Sequence, residues 1–314
     1  MYHQKLEKIL HNVEQVMIGK RNVAELSVVA LLAQGHVLLE DVPGVGKTMM
    51  VRALAKSIGA NFTRIQFTPD LLPSDVIGVS IYNPKEMEFQ FRPGPIMGNI
   101  ILADEINRTS PKTQSSLLEG MEEGSITVDG VTRTLGNPFF VMATQNPIEY
   151  EGTYPLPEAQ LDRFLLKMKM GYPNAQEEME LLNRIQFSPP IDDLQSVITL
   201  EELTLLQREV RQIIVDETIK SYIVNLAGKT REHANVYLGA SPRGSIALMK
   251  ACQAYAMLHG RDYVLPDDVQ FLAPYIFSHR IILKSEAKYE GIQPEEVIER
   301  IIARTPVPVQ RIAK

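Results

Sequence analysis

At 314 residues and 45% hydrophobic, the chain is long enough for one large or two modest domains with real cores. Its formal net charge of −6 gives no electrostatic footprint for nucleic acid, and its single cysteine, Cys252, excludes a disulfide within the chain. No leader-like segment and no apolar run of about eighteen residues is found, so the chain is expected to be cytoplasmic, with no membrane insertion.

Residues 1–35 predict two helices. One carries apolar positions at Leu6, Ile9, Leu10, Val13 and Val16, the other runs from Val23 to Leu32, and Ile18-Gly19-Lys20 breaks them. A short apolar run, Val37-Leu38-Leu39, then leads into Glu40-Asp41-Val42-Pro43-Gly44-Val45-Gly46-Lys47-Thr48. Helical spacing follows at Met50, Val51, Leu54, Ala55 and Ile58.

Strand, glycine-bearing loop, Lys-Thr and helix is the layout of a phosphate-binding P-loop. Gly44 and Gly46 let the backbone curl so that several N–H groups face one phosphate chain, and the helix N-terminus adds its positive dipole end. Lys47 can reach β- and γ-phosphates, and the Thr48 hydroxyl can join a Mg²⁺ shell. The candidate nucleotide contacts are therefore Asp41, Val42, Pro43, Gly44, Val45, Gly46, Lys47, Thr48 and Met49. One letter departs from the strict pattern, which has glycine where this chain has Asp41.

Phe62-Thr63-Arg64-Ile65-Gln66-Phe67 alternates as a strand does. Val79 to Phe91 reads as a hairpin around Asn83-Pro84-Lys85. The run Ile100-Ile101-Leu102-Ala103 ends in Asp104-Glu105, two carboxylates where a P-loop ATPase needs them. Asp104 would hold Mg²⁺ through water, and Glu105 would orient and deprotonate the water attacking the γ-phosphate. By itself, an apolar strand ending in solvated acids is common; after a P-loop it reads as chemistry.

A helix is expected over Thr113–Met121. A second hairpin pairs Ser125–Val128 with Val131–Leu135 across Asp129-Gly130. Further strands are expected at Phe139–Thr144 and Phe164–Met170. Alternating strands and helices argue for a parallel sheet covered on both faces.

From about Asn174 the pattern is almost wholly helical. Asn174 with Glu177 and Thr199 with Glu202 have capping-box spacing, and Ser241-Pro242 sets a cap and an N1 proline before a long helix. Helices are also expected over Glu217–Lys229, Asp267–Phe277 and Pro294–Ile302. Gly171-Tyr172-Pro173-Asn174 reads as a hinge. Cys252 is expected to be a buried core thiol, and His259 and His279 to be surface or core residues without a metal role.

The order Ala143-Thr144-Gln145-Asn146-Pro147, Pro157 to Phe164 and Gly239-Ala240-Ser241-Pro242-Arg243-Gly244, behind the P-loop and its acids, resembles the MoxR family of AAA+ ATPases over essentially the whole chain. The resemblance implies an α/β fold. Residues 1–172 would form an AAA+ P-loop core, a parallel sheet between helices with inserted hairpins at about 79–92 and 125–135. Residues 173–314 would form a C-terminal α-helical lid domain. An Asp at position 41 is in keeping with the family.

The resemblance also implies roles. Asn146 corresponds to sensor 1, Arg163 to an arginine finger reaching the neighbouring subunit's γ-phosphate, and Arg243 to sensor 2, in cis or in trans. Ile18-Gly19 corresponds to the segment packing on adenine, and Glu40, Asn107 and Arg108 match family positions of less definite role. The bland alternatives are an Asx turn for Asn146, a structural ion pair with Asp162 or a nearby acid for Arg163, and an exposed helix-start arginine for Arg243.

The implied cofactors are ATP and Mg²⁺, and the implied assembly is a homo-oligomer, a hexameric ring. The implied function is an ATPase that remodels, matures or activates partner proteins. The partners expected are von Willebrand factor A domain proteins, with metal insertion or complex assembly as possible ends. The competing readings are a nucleic-acid motor related to the MCM helicases and a nucleotide-gated scaffold.

Overall fold

The computed structural model describes residues 2–42, 44–146, 152–185 and 190–308. Helices α1 (Tyr2–Val16) and α2 (Arg21–Leu32) precede β1 (Val37–Glu40), α3 (Lys47–Ser57) and β2 (Phe62–Gln66). Then come α4 (Pro73–Ile77), the hairpin β3 (Gly78–Asn83) and β4 (Glu88–Pro93), β5 (Ile100–Asp104) and α5 (Pro111–Glu123). A second hairpin, β6 (Ser125–Val128) and β7 (Val131–Thr134), leads to β8 (Phe140–Gln145), α6 (Glu158–Leu161) and β9 (Leu166–Met168).

The remainder is helical: α7 (Ala175–Ile185), α8 (Pro190–Asp193), α9 (Leu200–Val210), α10 (Glu217–Glu232), α11 (Pro242–Leu258), α12 (Pro266–Phe277), α13 (Ser285–Tyr289) and α14 (Pro294–Ala303). A two-stranded ribbon, β10 (Val236–Leu238) with β11 (Ile282–Leu283), is set among them; the sequence gives no warning of it, since two or three residues hold too little pattern to read.

Five strands form one parallel sheet in the order β2-β5-β8-β1-β9. The three central strands carry continuous apolar runs, Val37–Leu39, Ile100–Ala103 and Phe140–Ala143, because a parallel sheet is covered on both faces, while the edge strands β2 and β9 admit Thr63, Arg64 and Lys167. Strict alternation divides them. Val37, Leu39, Ile100, Leu102, Phe140 and Met142 face one hydrophobic cluster, while Leu38, Ile101, Ala103, Val141 and Ala143 face the other. The first cluster continues through α1, α2 and α3 into α9 to α12 and α14, so the C-terminal helices share their core with the N-terminal ones. Cys252 lies in it, fully buried, and burial pushes its thiol pKa up.

Local chemistry fixes the ends. Ser110 caps α5 ahead of Pro111, and Gly124 closes it in the left-handed conformation. The capping boxes at Asn174–Glu177 and Thr199–Glu202 both form. Ser241 stands at the N-cap of α11 before Pro242, but its side chain makes no capping bond there. In the β6–β7 turn Asp129 and Gly130 have φ of 53° and 74°, the pair of positive values a two-residue hairpin needs.

Candidate functional site

β1 ends between β8 and β9, so the loop after it lies beside the carboxyl ends of both neighbours, where ligands bind in open parallel sheets. The loop turns through Gly44 at φ 86° and Gly46 at φ 92°, and Gly46 is the N-cap of α3. A glycine cap carries no side chain to occupy the first N–H groups, which leaves them for an anion. Gly44, Gly46, Lys47, Thr48 and Met49 line a cavity of about 340 Å³ together with Arg64, Asp104, Glu105 and Asn146. Pro43 lies outside the described residues.

Within that cavity the groups are already bonded to one another. Lys47 Nζ donates to the carbonyl of Asp41 at 2.8 Å. Burial lowers the Lys47 pKa, against the opposing pull of Asp104, Asp41 and Glu105. Asp104 accepts from Thr144 Oγ1 at 2.7 Å and from Arg64 Nη2 at 2.6 Å. The Thr144 hydroxyl in turn accepts the Glu105 N–H at 2.8 Å, so one threonine positions both acids.

Glu105 sits at φ 58°, an uncommon conformation for a side chain other than glycine and one that recurs at functional sites. Its Oε2 accepts from Gln66 Nε2 at 2.7 Å and from Arg108 Nη1 at 2.9 Å. Asn146 is buried at the end of β8, and its carbonyl accepts from Asn107 Nδ2 at 3.4 Å. Glu40 bridges strand ends instead of facing the cavity, accepting from Gln145 at 2.8 Å and pairing with Lys167 at 2.8 Å.

The donor set fits a Mg²⁺ ion that arrives with phosphates. Among the described residues no group of three or more His, Cys, Asp or Glu side chains could hold a metal unaided. One carboxylate and one hydroxyl beside a phosphate cradle is how Mg²⁺ is usually held, the substrate supplying the remaining oxygens.

A second cavity of about 350 Å³ adjoins the first and shares Gly44, Gly46 and Met49 with it. Its walls are largely apolar: Val16, Met17 and Ile18 from the α1 end, Val45 from the loop, and Pro173 and Leu181 from the start of the helical region. That is a fitting chamber for a flat base. Gly19, at φ 69°, turns the chain here under the Glu177 side chain.

Arg163 and Arg243 are elsewhere. They line a third cavity with Glu122 and Asp162, to which no described residue of the P-loop contributes. Arg163 Nε lies 2.9 Å from Glu122 Oε2, and Arg243 Nη2 lies 2.5 Å from Glu122 Oε1. The Arg243 hydrogen bond, with the charges of both arginines, holds the Glu122 pKa below the usual carboxylate value. Arg280, whose side chain is only 3% exposed, braces this corner by donating to Asp162 Oδ1 at 2.7 Å and to the Phe164 carbonyl at 2.6 Å.

Sequence reasoning missed Arg64, Gln66, Thr144, Glu122 and Arg280. The first three were within reach once β2 and β8 were placed on either side of β5, because Gln66 then registers with Asp104. Glu122 and Arg280 gave no signal.

Comparison with known proteins gives the chain's family. Residues 36–166 match the family model "ATPase family associated with various cellular activities (AAA)", and residues 228–301 match an AAA lid domain. The chain is 67% identical to the uncharacterized protein YeaC of Bacillus subtilis (strain 168), over 99% of this chain and 97% of that one. It is 42% identical to Chaperone MoxR1 of Mycobacterium tuberculosis, over 96% of this chain and 82% of that one. Protein MoxR of Paracoccus denitrificans is 31% identical over 93% of each chain. A crystal structure of a Cytophaga hutchinsonii protein superposes with a TM-score of 0.92 at 40% identity, covering 98% of this chain and 96% of that one. No helix among the described residues is long and apolar enough to cross a membrane.

Proposed function

The chain belongs to the MoxR family of AAA+ ATPases, and from that premise we propose that it hydrolyses ATP at the interfaces of a head-to-tail ring to remodel client proteins. The observation that carries the reading is the separation of the two halves of the site. Phosphate loop and acids occupy one cavity, and Arg163 and Arg243 occupy another. A head-to-tail contact between copies would bring them together, and such contacts close into rings, the expected form being a hexamer.

In this reading the triphosphate enters along the open N–H groups of α3, and Lys47 turns from the Asp41 carbonyl to the β- and γ-phosphates. Thr48 and Asp104 would hold Mg²⁺, which offsets phosphate charge when bound. Glu105, steadied by Gln66 and Arg108, orients and deprotonates the attacking water, with Asn146 beside it. Arg163 of the next copy stabilises charge on the transferred group, and Arg243, which shares Glu122 with it, acts from the same side. Its ion pair to the Glu122 that also pairs with Arg163 supports a role in trans for Arg243.

The β3–β4 hairpin supports a protein client, since Val79, Ile81, Tyr82, Met87 and Phe89 are all exposed on it. A von Willebrand factor A domain protein is the client class that the family resemblance suggests, with metal insertion or complex assembly as the outcome.

Mixing two inactive variants tests the reading. Glu105→Gln and Arg163→Ala are each expected to bind ATP and fail to turn it over. Mixed one to one, they regain about a quarter of wild-type activity, the share of interfaces that pair an intact Glu105 with an intact Arg163. Arg163→Ala that has lost ATP binding would instead assign the arginine to its own subunit's site. The Glu105→Gln form, arrested with ATP, is also the bait with which to recover the client.

A further inference from the structure

The departure from the strict P-loop, Asp41, does not face the phosphate cavity. Its Oδ1 accepts the Val42 N–H at 2.9 Å, and its Oδ2 accepts the N–H groups of both Met170 and Gly171 at 2.7 Å. Those two residues follow β9 and begin the turn into the helical region, with Gly171 at φ 66°. A buried lysine holds the same turn from its carbonyl side: Lys20 Nζ donates to Met170 O at 2.9 Å and to Tyr172 O at 3.1 Å. The hinge backbone is thus held on its donor side by the phosphate loop and on its acceptor side by a residue lining the base chamber. Charged groups bonded to backbone dipoles at these distances are the strong class of hydrogen bond, and burial makes them costly to break.

We propose that Asp41 is a positioning residue that carries the state of the phosphate loop to the core–lid hinge. The link is short. Lys47 holds the Asp41 carbonyl, and the Asp41 carboxylate holds the hinge amides. When the ammonium turns to a triphosphate, the peptide at Asp41 loses its partner, and any shift of that peptide is passed through the carboxylate to Met170 and Gly171. The glycine of the strict pattern has no side chain with which to do this. The inference rests on the reading of the loop as a triphosphate site.

The test reads lid position and nucleotide binding separately. Spin labels on cysteines at Lys112→Cys and Lys220→Cys, exposed residues of α5 and α10, report the core–lid distance in the full chain, Cys252 being buried. Distances are measured with and without a non-hydrolysable ATP analogue and Mg²⁺, and affinity is measured by calorimetry. Wild type is expected to bind and to shift. Asp41→Gly is expected to bind within about threefold of wild type, to lose the shift, and to lose about tenfold in kcat with little change in KM. Asp41→Asn, which keeps one acceptor oxygen for the hinge amides, falls between them.

A purely structural Asp41 would lower stability and leave the nucleotide-dependent shift in place; that result overturns the proposal. Wild type that binds without a shift overturns it too, while leaving the triphosphate site standing. Wild type that binds no nucleotide sinks the site reading instead. Should Asp41→Gly fail to fold, Asp41→Asn decides: an undiminished shift refutes the link, and a reduced one supports it.

Discussion

Arg64 lies across Asp104, its Nη2 2.6 Å and its Nε 3.1 Å from the same carboxylate oxygen. That oxygen belongs to the acid expected to hold Mg²⁺, so guanidinium and metal compete for one carboxylate. Arg64→Ala is expected to lower the Mg²⁺ concentration giving half-maximal ATPase activity by several-fold, whatever happens to kcat. A magnesium titration identical to wild type would show that Arg64 and the metal do not share Asp104.

Lys47 differs from a structural lysine in what it touches among the described residues: the Asp41 carbonyl, and no carboxylate at bonding distance. Its burial works against its charge, with the acids around the cavity only partly compensating. Lys47→Ala should therefore leave thermal stability unchanged or slightly raised while abolishing ATP binding or hydrolysis. Wild-type turnover in this variant would refute the P-loop assignment.

The shared carboxylate of Arg163 and Arg243 separates structure from chemistry. All three side chains are partly exposed, and ion pairs of that kind contribute about 0–1 kcal/mol. Glu122→Gln is expected to shift chemical denaturation by no more than that. Arg163→Ala should be equally harmless to folding yet cost about a thousandfold in turnover, the scale of a lost arginine finger. A large folding defect in Arg163→Ala would favour the structural ion pair that the sequence left open.

What the sequence disclosed was chemistry bound to local backbone. Gly44, Gly46 and Lys47 announce a loop because only that order makes the turn and supplies the charge, and Asp129-Gly130 announces a hairpin for the same kind of reason. Apolar strands ending in acids placed Asp104 and Glu105. Partners contributed by distant strands and helices stayed hidden. Gln66 is an ordinary strand glutamine until β2 lies against β5, and Glu122 is an ordinary helix-surface acid until α11 closes over it. Asp41 was legible as an oddity and illegible as a link, because its bonds to residues 170 and 171 exist only when β9 lies beside β1.

Gly19 tests the base chamber. At φ 69° a side chain is strained by about 1 kcal/mol, and a Cβ there would come within 2.0 Å of Glu177 Oε1. Glu177 is not free to yield without loss, because its other oxygen accepts the Asn174 N–H that starts α7. Gly19→Ala is expected to weaken ATP binding more than it lowers stability, by displacing the wall that α7 gives the chamber. Equal affinity for ATP in calorimetry would detach Gly19 from the nucleotide.

The acid limb of stability should carry the signature of His36. Its ring, just ahead of β1, is buried between β8 and α5, with Nδ1 accepting the Val141 N–H at 3.1 Å and Nε2 facing the Met121 carbonyl at 3.1 Å. Both contacts suit the neutral ring protonated on Nε2, and a second proton would meet the Val141 N–H head on. Burial pushes the pKa down to about 4 from an ordinary 6.5, the Met121 contact opposing weakly. The unfolded chain therefore binds a proton at pH values where the folded chain refuses it. The contribution is intact above pH 6.5, declines as pH falls toward 4, and levels off below. Between pH 7 and pH 5 the loss amounts to about 2 kcal/mol. His279, buried and also lowered, adds in the same direction, so the difference between two proteins is the useful quantity. His36→Gln keeps an acceptor for Val141 and a donor for Met121 without a titrating group. Urea denaturation of both at pH 7 and pH 5 should give a smaller acid loss in His36→Gln, and equal losses would show that His36 is not the group that titrates.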